Sequence, residues 1–167
     1  RKDINFSAVI LTDGAGSPRT GGFYGAFTNE EMREVRITEQ KKAAAVGDYA
    51  ALVLLNYTSE AVKDPKERGV VEDIKNILME AKPQVVYTHN PADKHDTHIA
   101  TSLRVLTALR ELASEYRPDI VYGCEVWRGL DWVNDDEKIV LDVSDRPALK
   151  AALLGVYDSQ IEGGKRY

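Results

Sequence analysis

The fold is read from Val85-Val86-Tyr87-Thr88, the polar run His89-Asn90-Pro91-Ala92-Asp93-Lys94-His95-Asp96-Thr97-His98, and the segments that follow. Four apolar or β-favouring residues in a row are too few for a helix and fit a buried strand. After the polar run, Ile99, Leu103, Leu106, Leu109 and Ala113 recur at helical spacing up to Pro118. Asp119-Ile120-Val121-Tyr122 then begins another strand. Strand, polar loop, amphipathic helix and strand are the order of a β-α-β unit, whose two strands are expected to run parallel.

The same alternation extends upstream. Phe6-Ser7-Ala8-Val9-Ile10-Leu11 is a buried strand halted by Thr12-Asp13-Gly14-Ala15-Gly16. Residues 17–27, with three glycines and one proline, form a loop. Thr28 or Asn29 caps a helix with Glu30 and Glu31 in its positive first turn, and Gly47 ends it. Ala50 to Leu55 is a second strand, and residues 57–69 are expected to be irregular. Val70, Ile74, Ile77, Leu78 and Ala81 mark a helix ending before Pro83. Downstream, Ile139-Val140-Leu141 is expected as a fifth strand. Ser144 or Asp145 is expected to cap a last helix with Pro147 in its first turn and Leu149, Leu153 and Val156 along it. Alternation with short connections implies an α/β fold: a mostly parallel sheet with helices on both faces.

Size and composition fit one domain over residues 1–167, with 43% hydrophobic and 29% charged residues. A net charge of −5 argues against a nucleic-acid partner, which would need a basic face. No apolar run is long enough to span a membrane, and no leader is visible, so a cytoplasmic location is expected. A single cysteine, Cys124, excludes an internal disulfide and a multi-cysteine zinc site. Arg1 at the start and Gly163-Gly164-Lys165-Arg166-Tyr167 at the end read as cuts, so the domain is expected to be incomplete at both ends.

In open parallel sheets, ligands bind beyond the carboxyl ends of the strands. Three polar clusters are expected there: Thr12-Asp13-Gly14, His89 to His98, and Cys124-Glu125-Val126-Trp127. All three histidines of the chain, His89, His95 and His98, fall within the second, among Asp93 and Asp96. Imidazole and carboxylate suit Zn²⁺, and two histidines three apart at a helix start lie one turn from each other. The same loop also reads as a solvated helix start capped by aspartate and threonine. Asp13-Gly14 reads as a routine turn, Arg36 and Glu39 as a surface ion pair one helical turn apart, and Cys124 as a small buried residue. Trp127 and Trp132 read either as the lining of a sugar pocket or as core. No Gly-x-Gly-x-x-Gly or Lys-Ser/Thr phosphate loop is present, which counts against a nucleotide-binding domain.

Taken in order, Val9-Ile10-Leu11-Thr12-Asp13-Gly14, Glu34-Val35-Arg36-Ile37-Thr38-Glu39, Asn90 to His98 and Tyr157-Asp158-Ser159-Gln160 resemble the LmbE-like (PIG-L-type) de-N-acetylases. The resemblance implies a three-layer, Rossmann-like α/β/α domain and a divalent metal, usually zinc, that hydrolyses an N-acetyl group from an amino sugar. By resemblance, His98 is a metal ligand, and His95 assists at the amide carbonyl. Arg36 contacts sugar hydroxyls, and Asp96, Asp93 or Asp13 supply carboxylates. Two departures stand out. The family's Ala-His-Pro-Asp-Asp-Glu motif, which ends its first strand and supplies two metal ligands and a general base, does not occur. Thr97 stands where the family usually has aspartate, leaving Asp96, Asp93 or no residue to orient His95. With the first strand and helix missing, these 167 residues are expected to be inactive alone, or to be completed by a further segment or by a second copy in a homo-oligomer. The competing reading is a non-catalytic carbohydrate- or partner-binding domain on the same scaffold.

Overall fold

A computed structural model describes residues 4–19 and 21–164; Arg1 and the Lys165-Arg166-Tyr167 end lie outside the described residues. The chain divides into two compact units, residues 1–58 with 140–167, and residues 59–139.

The first unit begins with β1 (Ser7–Thr12), α1 (Asn29–Val46) and β2 (Ala51–Tyr57). β1 and β2 pair in parallel from Ser7↔Ala51 to Ile10↔Leu54, then shift register to Thr12↔Tyr57. At the shift Asn56 takes φ 55°, and the Asp13 N–H donates to the Tyr57 carbonyl at 2.8 Å. α1 opens with a capping box: the Thr28 hydroxyl accepts from the Glu31 N–H, and the Glu31 carboxylate accepts from the Thr28 N–H. That reciprocal pairing satisfies two N–H groups the helix leaves open, and the hydrogen bond from Thr28 N–H holds the Glu31 carboxyl below its usual range. Gly47 ends the helix, donating to the Ala43 carbonyl at 2.8 Å.

The second unit contains α2 (Ser59–Lys63), α3 (Gly69–Ala81), β3 (Val85–His89), α4 (Asp96–Glu111) and β4 (Ile120–Cys124). β3 and β4 pair in parallel and in register, from Val85↔Ile120 to His89↔Cys124. Its core lies where α3 and α4 pack together: Val70, Val71, Ile74, Leu78, Val105, Ala108, Leu109 and Leu112 are buried. Two further helices, α5 (Pro147–Gly155) and α6 (Asp158–Glu162), belong to the first unit.

The protein is thus an α/β fold in which every described strand pairing is parallel, distributed over two two-stranded sheets. Several local expectations are corrected. Residues 139–141 form no strand: Ile139, Val140 and Leu141 are exposed and pair with no described strand, so an apolar run alone was an insufficient signal. The stretch 57–69, expected to be irregular, contains α2. On α4 the buried side is Ser102, Val105, Ala108 and Leu109, whereas Leu103 is 52% exposed and Ala113 lies past the helix end. The helix starts at Asp96, three residues before Ile99, the first apolar position. Pro147 opens α5 as expected, but Arg146 occupies the cap position, without a side-chain cap. Among the described residues no helix is long and apolar enough to cross a membrane.

Candidate functional site

The site in the second unit is built where β3 ends and α4 begins. β3 delivers His89 as its last residue, and a turn follows, closed by the Asp93 N–H donating to the Asn90 carbonyl at 3.0 Å. The Asn90 side chain stabilises this corner twice: its oxygen accepts from the Ala92 N–H at 2.9 Å, and its Nδ2 donates to the Gly123 carbonyl at 3.1 Å. Gly123 allows that approach, since a Cβ there would lie 2.8 Å from Asn90 Nδ2. The corner therefore docks the histidine loop onto β4.

Asp93 is the centre of the arrangement. It is 8% exposed; its Oδ1 accepts the His95 N–H at 2.8 Å, and its Oδ2 lies 3.1 Å from His98 Nδ1. Burial pushes its pKa up, but the hydrogen bonds from the His95 N–H and the His98 ring outweigh this and hold the carboxyl below its ordinary value. The His98 side chain is 17% exposed. His89 stacks on it, with ring centroids 4.0 Å apart and planes within 4°. Burial, then the neighbouring His98, pushes the His89 pKa down to about 4, so this ring is neutral at pH 7.

His95 stands at the cap position of α4 with its side chain 46% exposed, its ring 4.5 Å from that of His98. Asp96 lies 3.6 Å from His95 Nδ1 but is more closely engaged with Lys63 Nζ at 3.1 Å, the contact that chiefly lowers its pKa. The third polar cluster also arrives here. Trp127 brings its ring to 5.2 Å from His98 and 5.8 Å from His95, and it is 47% exposed. Trp127 and Arg128 are consecutive non-glycine residues at φ 51° and 56°, a backbone usually reserved for glycine. With Asp93, Lys94, His95, Val126 and Gly129, Trp127 lines a cavity of about 230 Å³. Trp132 is also exposed rather than core, and its indole N–H donates to the Ala92 carbonyl at 3.2 Å.

Donor atoms of His89, Asp93 and His98 all lie within 4.8 Å of one another, so this group can hold a metal ion. Two imidazoles, which are borderline donors, and one hard carboxylate together fit a divalent transition ion such as zinc. Sequence reading singled out His98 and Asp93 but assigned no role to His89. Its signal was its position as the last residue of a strand entering a histidine-rich loop. Cys124 is partly buried and its thiol pKa is pushed up by desolvation, the opposite of what a nucleophile needs.

Asp13 and Arg36 lie in the first unit. Asp13 is buried, accepts from the Ala15 N–H at 3.1 Å, and pairs with Arg33 through two donors at 2.9 and 3.2 Å. It is a turn residue, as the bland reading had it, and also an ion-pair partner. Arg36 does pair with Glu39, but not at the surface: the two side chains are 16% and 4% exposed. The guanidinium lies 5.2 Å from the centroid of the Tyr157 ring, over its face. Burial follows from what Glu39 holds, since it accepts the Ser159 N–H at 2.7 Å and the Ser159 hydroxyl at 3.0 Å.

A family model described as PIG-L, GlcNAc-PI de-N-acetylase, matches residues 1–109. A search of curated protein sequences finds no significant match. Among solved structures, the chain is similar to an N,N'-diacetylchitobiose deacetylase from Pyrococcus horikoshii. The TM-score is 0.69 and the identity 19%, over 95% of this chain and 61% of that one. It is also similar to a conserved protein from Thermus thermophilus, with TM-score 0.62 and identity 17%, over 95% of this chain and 67% of that one. The chain thus spans about two thirds or less of these relatives, and at such identities the likeness shows the fold.

Proposed function

The chain belongs to the PIG-L family of GlcNAc-PI de-N-acetylases, and we propose that its histidine loop serves metal-assisted removal of an N-acetyl group from an N-acetylglucosamine-type sugar. The observation that carries the reading is the His98–Asp93 pair. A buried carboxylate 3.1 Å from one ring nitrogen fixes the tautomer and leaves the other nitrogen's lone pair for a cation. Zinc is the ion this reading favours, with His98 as its ligand. When bound, such an ion supplies an activated water and a counter-charge for the oxyanion.

The chain's own residues then divide the work. Asp93 orients His98. His95, exposed at the start of α4, is the side chain available to stabilise the oxyanion or give a proton to the departing amine. Asp96, the carboxylate nearest His95 Nδ1, biases that proton, although it shares its charge with Lys63. Trp127 offers a flat apolar face beside His95 on which a pyranose ring can lie. Arg36 is the candidate for sugar hydroxyls, and Asp13, paired with Arg33, is the weaker carboxylate candidate.

The 167 residues contain no His-Pro-Asp-Asp sequence, so on this reading the chain alone holds the ion weakly and turns over no substrate. The test is acetate release from N-acetylglucosamine conjugates by the full-length protein, with zinc content measured alongside. Loss of both in a His98→Ala variant supports the reading; a zinc-free protein without deacetylase activity sinks it. Exposed Trp127 at the same cavity favours one alternative, a non-catalytic carbohydrate-binding domain. Metal-independent binding of the same sugars without acetate release identifies that case.

A further inference from the structure

We propose that His89 is a positioning residue, the flat wall that holds the His98 ring in line with Asp93, and not a second nitrogen ligand to the cation. The inference rests on the metal reading above and deepens it.

Proximity of donor atoms admits His89, Asp93 and His98 as one ligand set. Orientation separates them. An imidazole nitrogen presents its lone pair in the plane of its ring. The His89 and His98 rings are stacked, 4.0 Å between centroids and 4° from parallel. One ion cannot lie in both of two stacked parallel planes, so in this arrangement the two rings cannot both aim a lone pair at it.

The contact does something else. Rotation of a histidine ring about its last side-chain bond is soft, with broad wells. His98 is restrained at its edge by Asp93 Oδ2 at 3.1 Å, on one face by His89, and by Trp127 at 5.2 Å with a 37° tilt. With His89 at the end of β3 and His98 in the first turn of α4, both sides of the stack stand on regular structure. Rotating His98 away would break the stack and the hydrogen bond together. A flat ring suffices for that task, and its nitrogens are not required.

Three variants of the full-length protein separate the roles: His89→Phe, His89→Ala and His98→Ala. Long-range proton–nitrogen NMR of the imidazoles reports the His98 tautomer, and competition with a chromophoric chelator reports Zn²⁺ affinity. Expected are a His98 protonated at Nδ1 in the wild type and in His89→Phe, and a mixture of tautomers in His89→Ala. Zinc affinity should stay within about threefold in His89→Phe and fall about tenfold in His89→Ala. The proposal is overturned if His89→Phe loses zinc as fully as His98→Ala, which makes His89 a ligand. It is equally overturned if His89→Ala matches the wild type in both measurements. If His89→Ala does not fold, the His89→Phe result decides alone. Zinc affinity untouched by His98→Ala, or absent throughout, sinks the metal reading instead, while the tautomer ratio still judges the positioning role.

Discussion

The Glu39 carboxylate and Ser159, 120 residues apart, form a buried pair in which Glu39 accepts both the Ser159 N–H at 2.7 Å and its hydroxyl at 3.0 Å. The same carboxylate holds Arg36. Glu39→Ala therefore strands a mostly buried guanidinium and a buried hydroxyl together, and should cost about 3–5 kcal/mol. Ser159→Ala removes a neutral hydroxyl that donates to Glu39 and accepts from Gln160 Nε2 at 3.2 Å, and should cost about 1–2 kcal/mol. Urea denaturation of the two variants checks the ratio; equal losses would mean the ion pair is not what Glu39 contributes.

Gly14 is required twice, by its φ of 72° and by the Arg36 side chain, whose Cγ would lie 2.8 Å from an added Cβ. Gly14→Ala should destabilise by about 1–3 kcal/mol and displace Arg36. A substitution at Gly16, where an added Cβ meets nothing within 4 Å, is the control. Thermal melts of both variants provide the comparison.

His89 makes stability depend on pH. Its pKa is 6.5 ordinarily and about 4 in the fold. Between those values the unfolded chain binds a proton that the folded chain refuses, so stability rises with pH across the window. The contribution is complete above about pH 6.5 and is lost as the pH falls towards 4. For a ring that solvent still reaches, it amounts to on the order of 1–2 kcal/mol. Denaturation midpoints at pH 7 and pH 4.5 should differ more in the wild type than in His89→Phe.

Asp93→Asn keeps the shape of the turn but weakens the hold on His98. Zinc affinity should fall by about 10–100-fold while the melting temperature changes little. Isothermal titration of the folded variant reads the outcome. An unchanged affinity would show that another group orients His98.

The helices were legible where their signals are local. Thr28 with Glu31 three residues on, Gly47, and Pro147 in a first turn each act within one helical turn, so sequence alone locates those ends. The histidine loop was legible for the same reason, since three imidazoles and two aspartates within ten residues must share one corner. Burial of Arg36 and Glu39 was not legible, because their i, i+3 spacing looks the same at the surface as beneath a distant Ser159. The fifth strand failed because strand propensity needs a partner strand, and Ile139 to Leu141 find none among the described residues.

The sequence by itself determined the alternation of strands and helices, the parallel pairing that order implies, and the gathering of His95, His98 and Asp93 at one strand-to-helix corner. Only the tertiary structure decided which carboxylate serves which imidazole. Asp93 takes both the His95 N–H and the His98 ring, Asp96 turns to Lys63, and His89 lies flat on His98. The reason is physical: spacing along a chain limits which groups can meet, but ring orientation and hydrogen-bond choice follow from the surrounding packing, which spacing does not encode.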